Sequence, residues 1–196
     1  MGRTVREAKP ASRRATLGSR IRWIRIVRPQ EEDLAWLHKT FGIHSLILDE
    51  LKGPSARESA QALGKYLYLV YYFPIYDTAE RVSRRSEVDF LITAHGVITV
   101  SYEPIDALEQ LAKTLPPGSR AFTDTLTLTH KLIETLLLFQ QRQLVHIREK
   151  VEGISAELFK YRERERERSL LERISYLKRD ISQYHIIVSP QKHVLE

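Results

Sequence analysis

Tyr66-Leu67-Tyr68-Leu69-Val70-Tyr71-Tyr72-Phe73 carries a large hydrophobic side chain at every position. A strand with one wet face would alternate, so this unbroken run reads as a strand covered on both faces. Such a strand belongs inside a layered domain and places the chain in the α/β class. Pro74 is expected to limit it. The whole apolar run, Tyr66–Tyr76, falls far short of the ~20 residues that a membrane helix requires.

Reading upstream, Ile21-Arg22-Trp23-Ile24-Arg25-Ile26-Val27 is β-branched and roughly alternating, a first strand. Pro29 follows, and Glu31, Glu32 and Asp33 open a helix that carries Leu34, Leu37 and Phe41; acids suit that positive end. Phe41–Lys52 comes next and holds a short apolar helix, Ile43–Leu51, ending on two adjacent acids, Asp49 and Glu50. Leu46, Ile47 and Leu51 are spaced to bury one face. Gly53-Pro54 supplies a stop, with glycine expected to take the left-handed cap. Carboxylates at a helix C-terminus oppose the dipole at a cost of a few tenths of a kcal/mol, up to about 1. Either they are simply solvated, or something positive faces them: Lys52, a neighbouring subunit's basic side chain or a metal ion. Pro54–Gly64 carries no assignable signal.

Downstream, Glu87–Thr93 and Val97–Ser101 read as two strands joined tightly through Ala94-His95-Gly96. Glu103-Pro104 opens a helix to about Leu115, which Pro116-Pro117-Gly118 ends. From Thr123 the period turns helical. Leu144, Ile147, Val151, Ile154 and Leu158 step as a heptad seam, and Leu170, Ile174, Leu177 and Ile181 repeat it. The phase breaks inside the run Arg162–Arg168, which reads as a solvated face near the tip of an antiparallel hairpin of two long helices, with a single continuous helix through the run as the other reading. The expected architecture is therefore a mixed β-sheet layered with helices (α/β/α), followed by a long antiparallel helical hairpin. Residues 1–20 form a basic arm, 21–118 the α/β layer and 119–196 the long helices.

The 196 residues suffice for a sizeable core. Absence of cysteine removes disulfides, thiolate zinc sites and cysteine nucleophiles, and fits a reducing compartment. The net charge of +6 is concentrated: Met1–Arg28 holds nine Lys/Arg and one Glu, which leaves −2 on the remainder. A basic arm on a slightly acidic body argues against a nucleic-acid interface on the domain itself. The arm reads as a solvated, disordered lead-in, with contact to acidic lipid or nucleic acid as the other reading. It lacks a signal peptide's apolar core.

Seven histidines invite a zinc search, but no H-x3-H pair exists, and His38, His44, His130 and His146 are dispersed. They read as surface or capping residues, and His95 as part of the hairpin turn. Tyr66, Tyr68, Tyr71 and Tyr72 suit core packing better than base stacking. No glycine-rich phosphate loop or nucleophile elbow occurs, so the chain reads as a non-enzyme.

Five motifs, in order, resemble one family. Phe41-Gly42-Ile43-His44-Ser45-Leu46-Ile47-Leu48-Asp49-Glu50-Leu51 is similar to F-G-[IL]-H-P-L-x-L-E-D-[LI] of the CorA-type magnesium and cobalt transporters. Tyr66–Val70 resembles the family's Y-L-F-L-V strand, Leu91-Ile92-Thr93 through Ile98-Thr99-Val100 its L-I-T-V hairpin, and Lys131-Leu132-Ile133-Glu134 its L-I-D helix. Ile186–Glu196 resembles I-x-x-P-x-R-E-V-L. The resemblance implies a cytoplasmic ion-sensing domain on the inner face of the membrane, pentameric in the full-length protein. A stalk and two membrane helices with a G-M-N pore motif would lie beyond Glu196, and the excised domain would be a monomer or weak oligomer. It also implies regulatory metal sites between subunits. By motif matching, Asp49, Glu50 and Glu134 are the metal-facing acids, each with Asp and Glu exchanged. Ser45 stands in place of the motif's proline, and Leu136-Leu137-Leu138-Phe139 in place of acids after L-I-D. The implied cation is Mg2+, with Co2+, Zn2+ or Ni2+ open, because the pore makes that choice. Mg2+ between subunits would neutralise facing carboxylates and hold a closed pore. The rival reading from another class is a soluble adaptor that binds partners through its helical hairpin, with the arm on nucleic acid.

Overall fold

The computed structural model describes residues 13–17, 22–115, 122–158 and 164–195. The chain divides into two compact units, one of residues 1–70 and 88–130, the other of residues 71–87 and 131–196. Its strands are β1 (Arg13–Leu17), β2 (Arg22–Val27), β3 (Ser59–Leu63), β4 (Tyr66–Asp77), β5 (Val82–Thr93) and β6 (Gly96–Ser101). They form one sheet in the order β1-β2-β6-β5-β4-β3. β2 and β6 are parallel, whereas β1–β2, β3–β4 and β5–β6 are antiparallel, so the sheet is mixed. The helices are α1 (Glu31–Phe41), α2 (Ser45–Glu50), α3 (Asp106–Thr114), α4 (Thr125–Leu158), α5 (Arg164–Val188) and α6 (Gln191–Leu195).

In the first unit, all six residues of β6 are buried. Both faces of that strand are therefore covered, as a layered α/β domain demands. Trp23 on β2 is 2% exposed and its Nε1–H donates to Thr99 Oγ1 on β6 at 2.9 Å. Arg25 on the same strand pairs with Glu109 of α3 at 2.8 Å. Leu34, Leu37, Ile47, Ala107 and Leu108 bury one face of each of α1, α2 and α3. α1 begins as its acids require: Gln30 N–H donates to Asp33 Oδ2 at 3.0 Å, and Gly42 closes it in the left-handed region at φ 66°. The β5–β6 hairpin turns at Gly96, where a Cβ would lie 2.3 Å from the carbonyl oxygen of Arg22. Only glycine lets the two backbones approach so closely.

The second unit holds the ends of β4 and β5 that meet at their turn, together with most of α4, α5 and α6. Asp77 Oδ1 accepts from the N–H groups of Ala79 and Glu80 at 2.9 and 3.1 Å and shapes that turn. α4 and α5 run antiparallel, because Glu157 meets Arg173, Lys150 meets Asp180, and the Gln140 carbonyl accepts from Tyr184 Oη. Phe73 of β4 lies edge-to-face on Phe139 of α4 at 6.4 Å.

The fold class and the hairpin stand as expected, and several details differ. Part of the arm expected to be disordered, Arg13–Leu17, is β1, an edge strand held by its ladder with β2. The unassigned stretch contains β3, S-A-Q-A-L, whose residues pair with Tyr66–Val70. β4 continues through Pro74 to Asp77. Beyond Val70 it has no β3 partner, so on that side it is an edge where a missing N–H costs little. β5 begins at Val82 rather than Glu87. α2 ends on Leu51 in the right-handed region, and the left-handed glycines are Gly42 and Gly64, not Gly53. Leu46 is 66% exposed, while Ile47 and Leu51 are buried. In the heptad seam Ile147 and Ile154 are buried, but Leu144, Val151 and Leu158 are exposed. The Pro116-Pro117-Gly118 stop and residues 159–163 lie outside the described residues, and the charge run from Arg164 onward belongs to α5. No helix among the described residues is long and apolar enough to cross a membrane.

Candidate functional site

α2 is only six residues long, and side chains set its N-terminal end. His44 Nδ1 accepts from Leu46 N–H at 3.2 Å, and His44 N–H donates to Tyr66 Oη at 2.9 Å. His38 Nδ1 bonds the Ile43 carbonyl at 2.9 Å. These two histidines therefore serve capping and turn geometry. They fix the angle at which α2 delivers Asp49 and Glu50 to the surface.

Both acids are exposed. Asp49 accepts from Lys52 Nζ at 2.8 Å, one turn on. That hydrogen bond, the Asp49 charge and the Glu31 charge raise the Lys52 ammonium above its ordinary value. Lys52 thus offsets the Asp49 carboxylate at a negative helix end. The acids border an open cleft of about 440 Å3 that Arg57, Ser59 and Gln61 also line. Glu134, in the other unit, is half-exposed within α4 and pairs with Lys131 at 2.8 Å. Exposed pairs of this kind are weak and readily exchanged. Among the described residues no three His, Asp or Glu side chains gather as a metal-binding group. Asp49 and Glu50 are adjacent on one helix end, and Glu134 belongs to a different unit.

Two buried polar centres in the second unit escaped the sequence reading. Asp180 of α5 is 1% exposed and its Oδ1 accepts from both Ser83 N–H and Ser83 Oγ at 2.7 Å. Its Oδ2 faces Lys150 Nζ at 3.4 Å, and that ammonium stands 3.7 Å from the centre of the Tyr76 ring. Gln140 of α4 accepts from Tyr71 Oη and donates to Gln191 Oε1, both at 3.0 Å. Gln191 in turn donates to the Tyr72 carbonyl at 2.6 Å. A polar residue inside a helical apolar face is the only trace such networks leave in sequence, and its partners are distant along the chain.

The family model described as CorA-like Mg2+ transporter protein matches residues 18–196. Among solved structures, the soluble domain of CorA from Methanocaldococcus jannaschii superposes with a TM-score of 0.73 at 18% identity, covering 89% of this chain and 68% of that one. The complete CorA magnesium transporter from the same organism gives 0.72 at 19% identity, over 90% of this chain and 54% of that one. This chain thus spans about half the length of the complete transporter. The ZntB cytoplasmic domain from Vibrio parahaemolyticus gives 0.55 at 16% identity, over 89% and 71% of the two chains. No curated protein matches the sequence. The solved structures establish the fold, and the family match across nearly the whole chain establishes the kinship: the chain belongs to the CorA-like Mg2+ transporter family.

Proposed function

We propose that this chain is the ion-sensing domain of a divalent-cation transporter, with Mg2+ as the cation sensed and with no catalytic role. The observation that carries the reading is the family match over residues 18–196, with a fold likeness to a CorA soluble domain. In this reading the domain lies on the cytoplasmic side of a membrane and works as a homo-oligomer. Asp49, Glu50 and Glu134 are the proposed metal-facing acids.

Asp49 and Glu50 are exposed and Glu134 is half-exposed, each carried by a helix, and that placement supports the assignment. One or two carboxylates with water bind Mg2+ weakly, because the ion keeps most of its hydration shell. A second copy that supplies further oxygens would complete such a site. Lys52 and Lys131 then act as resident counter-charges that the ion displaces. Co2+, Zn2+ and Ni2+ are the competing cargoes.

The test uses the full-length transporter with Asp49→Asn and Glu50→Gln combined, and measures protection from limited proteolysis across a Mg2+ titration. Removing both charges weakens the repulsion that Mg2+ screens, so protection should require less Mg2+ or lose its Mg2+ dependence. Identical titrations in the variant and the parent would reduce these acids to surface residues.

A further inference from the structure

The second unit contains a cleft of about 600 Å3, between the turn into β5 and the facing sides of α4 and α5. That volume suits a small organic molecule. Its floor is apolar, with Ile147 and Ile154 buried and Leu177 beside them, and the rings of Tyr76 and Tyr176 line it.

Two features give the ligand its chemistry. Gln143 lines this cleft, and its Oε1 is buried and accepts no hydrogen bond. A buried carbonyl oxygen without a donor is unfavourable, and a ligand N–H or O–H relieves it. The second feature is charge. Lys150, Arg173 and His146 at the cleft are held by Asp180, Glu157 and Glu149. Arg81 has no carboxylate partner among the described residues, and its guanidinium stands 5.7 Å from the centre of the Tyr176 ring. A guanidinium beside an aromatic ring is suited to the oxyanion of an aromatic acid.

We propose that this cleft binds a small aromatic acid that carries an N–H or O–H donor. Its ring system lies on the apolar floor beside the tyrosines, its donor satisfies Gln143, and its acid meets Arg81. Such a ligand would tie the turn into β5 to both long helices. The site is independent of Asp49, Glu50 and Glu134 and of any metal.

Anilinonaphthalene sulfonate is the probe, because it combines a fused ring, an N–H and an anionic group. The protein should bind it with enhanced, blue-shifted fluorescence at one site per chain. Gly153→Phe fills the cleft: a Cβ there meets nothing within 4 Å, and replacing a mid-helix glycine favours folding. This variant should weaken binding at least about tenfold. Arg81→Asn keeps the turn, because asparagine tolerates the left-handed backbone found at Arg81, φ 53°, and should weaken binding by about tenfold. Gln143→Leu should weaken the dye to a smaller degree. Leu144→Ser, at a 51% exposed position on α4 outside the cleft lining, should leave binding unchanged. Indoleacetate should displace the dye, whereas tryptamine, the same ring with a cation, should not. Binding that survives Gly153→Phe, or that Leu144→Ser abolishes, places the dye on the exposed helix face and overturns the proposal. Equal displacement by the acid and the amine overturns the ligand class.

Discussion

Replacing Asp180 by alanine removes one carboxylate and leaves several groups without their partner. Asp180 is 1% exposed and accepts two 2.7 Å hydrogen bonds from Ser83, which is itself 2% exposed. Hydrogen bonds to a charged acceptor contribute roughly 1.5–3 kcal/mol each, and the Ser83 N–H stays buried with no acceptor. The Lys150 contribution is smaller, since that side chain is 40% exposed at 3.4 Å and regains water when released. The expected loss is about 3–5 kcal/mol, in line with the removal of one partner from a buried pair. For a chain of this size that lowers the melting midpoint by roughly 10 °C. Asp180→Asn keeps one oxygen for Ser83 and should lose only about 1–2 kcal/mol. Urea unfolding followed by far-UV circular dichroism reports chiefly on α4 and α5, while both tryptophans, Trp23 and Trp36, belong to the first unit. The dichroism transition should therefore shift at least as far as the fluorescence transition. A loss below about 1 kcal/mol for the alanine variant, or equal losses for alanine and asparagine, would refute this account of the centre.

Three further outcomes are expected. Asp124 accepts from the N–H and hydroxyl of Thr127 and from the hydroxyl of Thr123 at the start of α4, and those bonds hold its carboxyl below the ordinary 3.8. Because the folded value is the lower one, its contribution is present above the unfolded value and disappears as pH falls through the folded one. The melting difference between the parent and Asp124→Asn should thus be full near neutrality and vanish in strong acid; a difference independent of pH contradicts it. Gly96→Ala places a methyl group 2.3 Å from a backbone oxygen and should cost about 1–3 kcal/mol. Gly53→Ala, with nothing within 4 Å, should be close to neutral in the same thermal melt.

The parts of the fold legible in sequence were those with a strong local signal. The all-apolar run at Tyr66, the paired strands around Gly96 and the helical period after Thr123 each state a structure by themselves. β3 and β1 do not: S-A-Q-A-L and R-R-A-T-L have little intrinsic strand preference and are organised by the ladders they join. Heptad spacing identified residues that share a face without saying whether the face is covered. Leu144 and Val151 are exposed while Ile147 and Ile154 are buried. Asp49, Glu50 and Glu134 rest on motif matching alone, and Asp49 and Glu134 each pair with a lysine within one turn. Asp180 and Gln140 were invisible, because their partners on β4, β5 and α6 lie far away along the chain.

The interleaving of the two units bears on how this protein can change over generations. The backbone passes from one unit to the other at residues 70–71, 87–88 and 130–131, so neither unit is a contiguous stretch of gene. Recombination with a single breakpoint cannot exchange one for the other, and a deletion that removes either must cut β4, β5 and α4. Duplication or shuffling therefore acts on the pair as one heritable block. A laboratory wanting either unit alone would have to rejoin the chain in a new order.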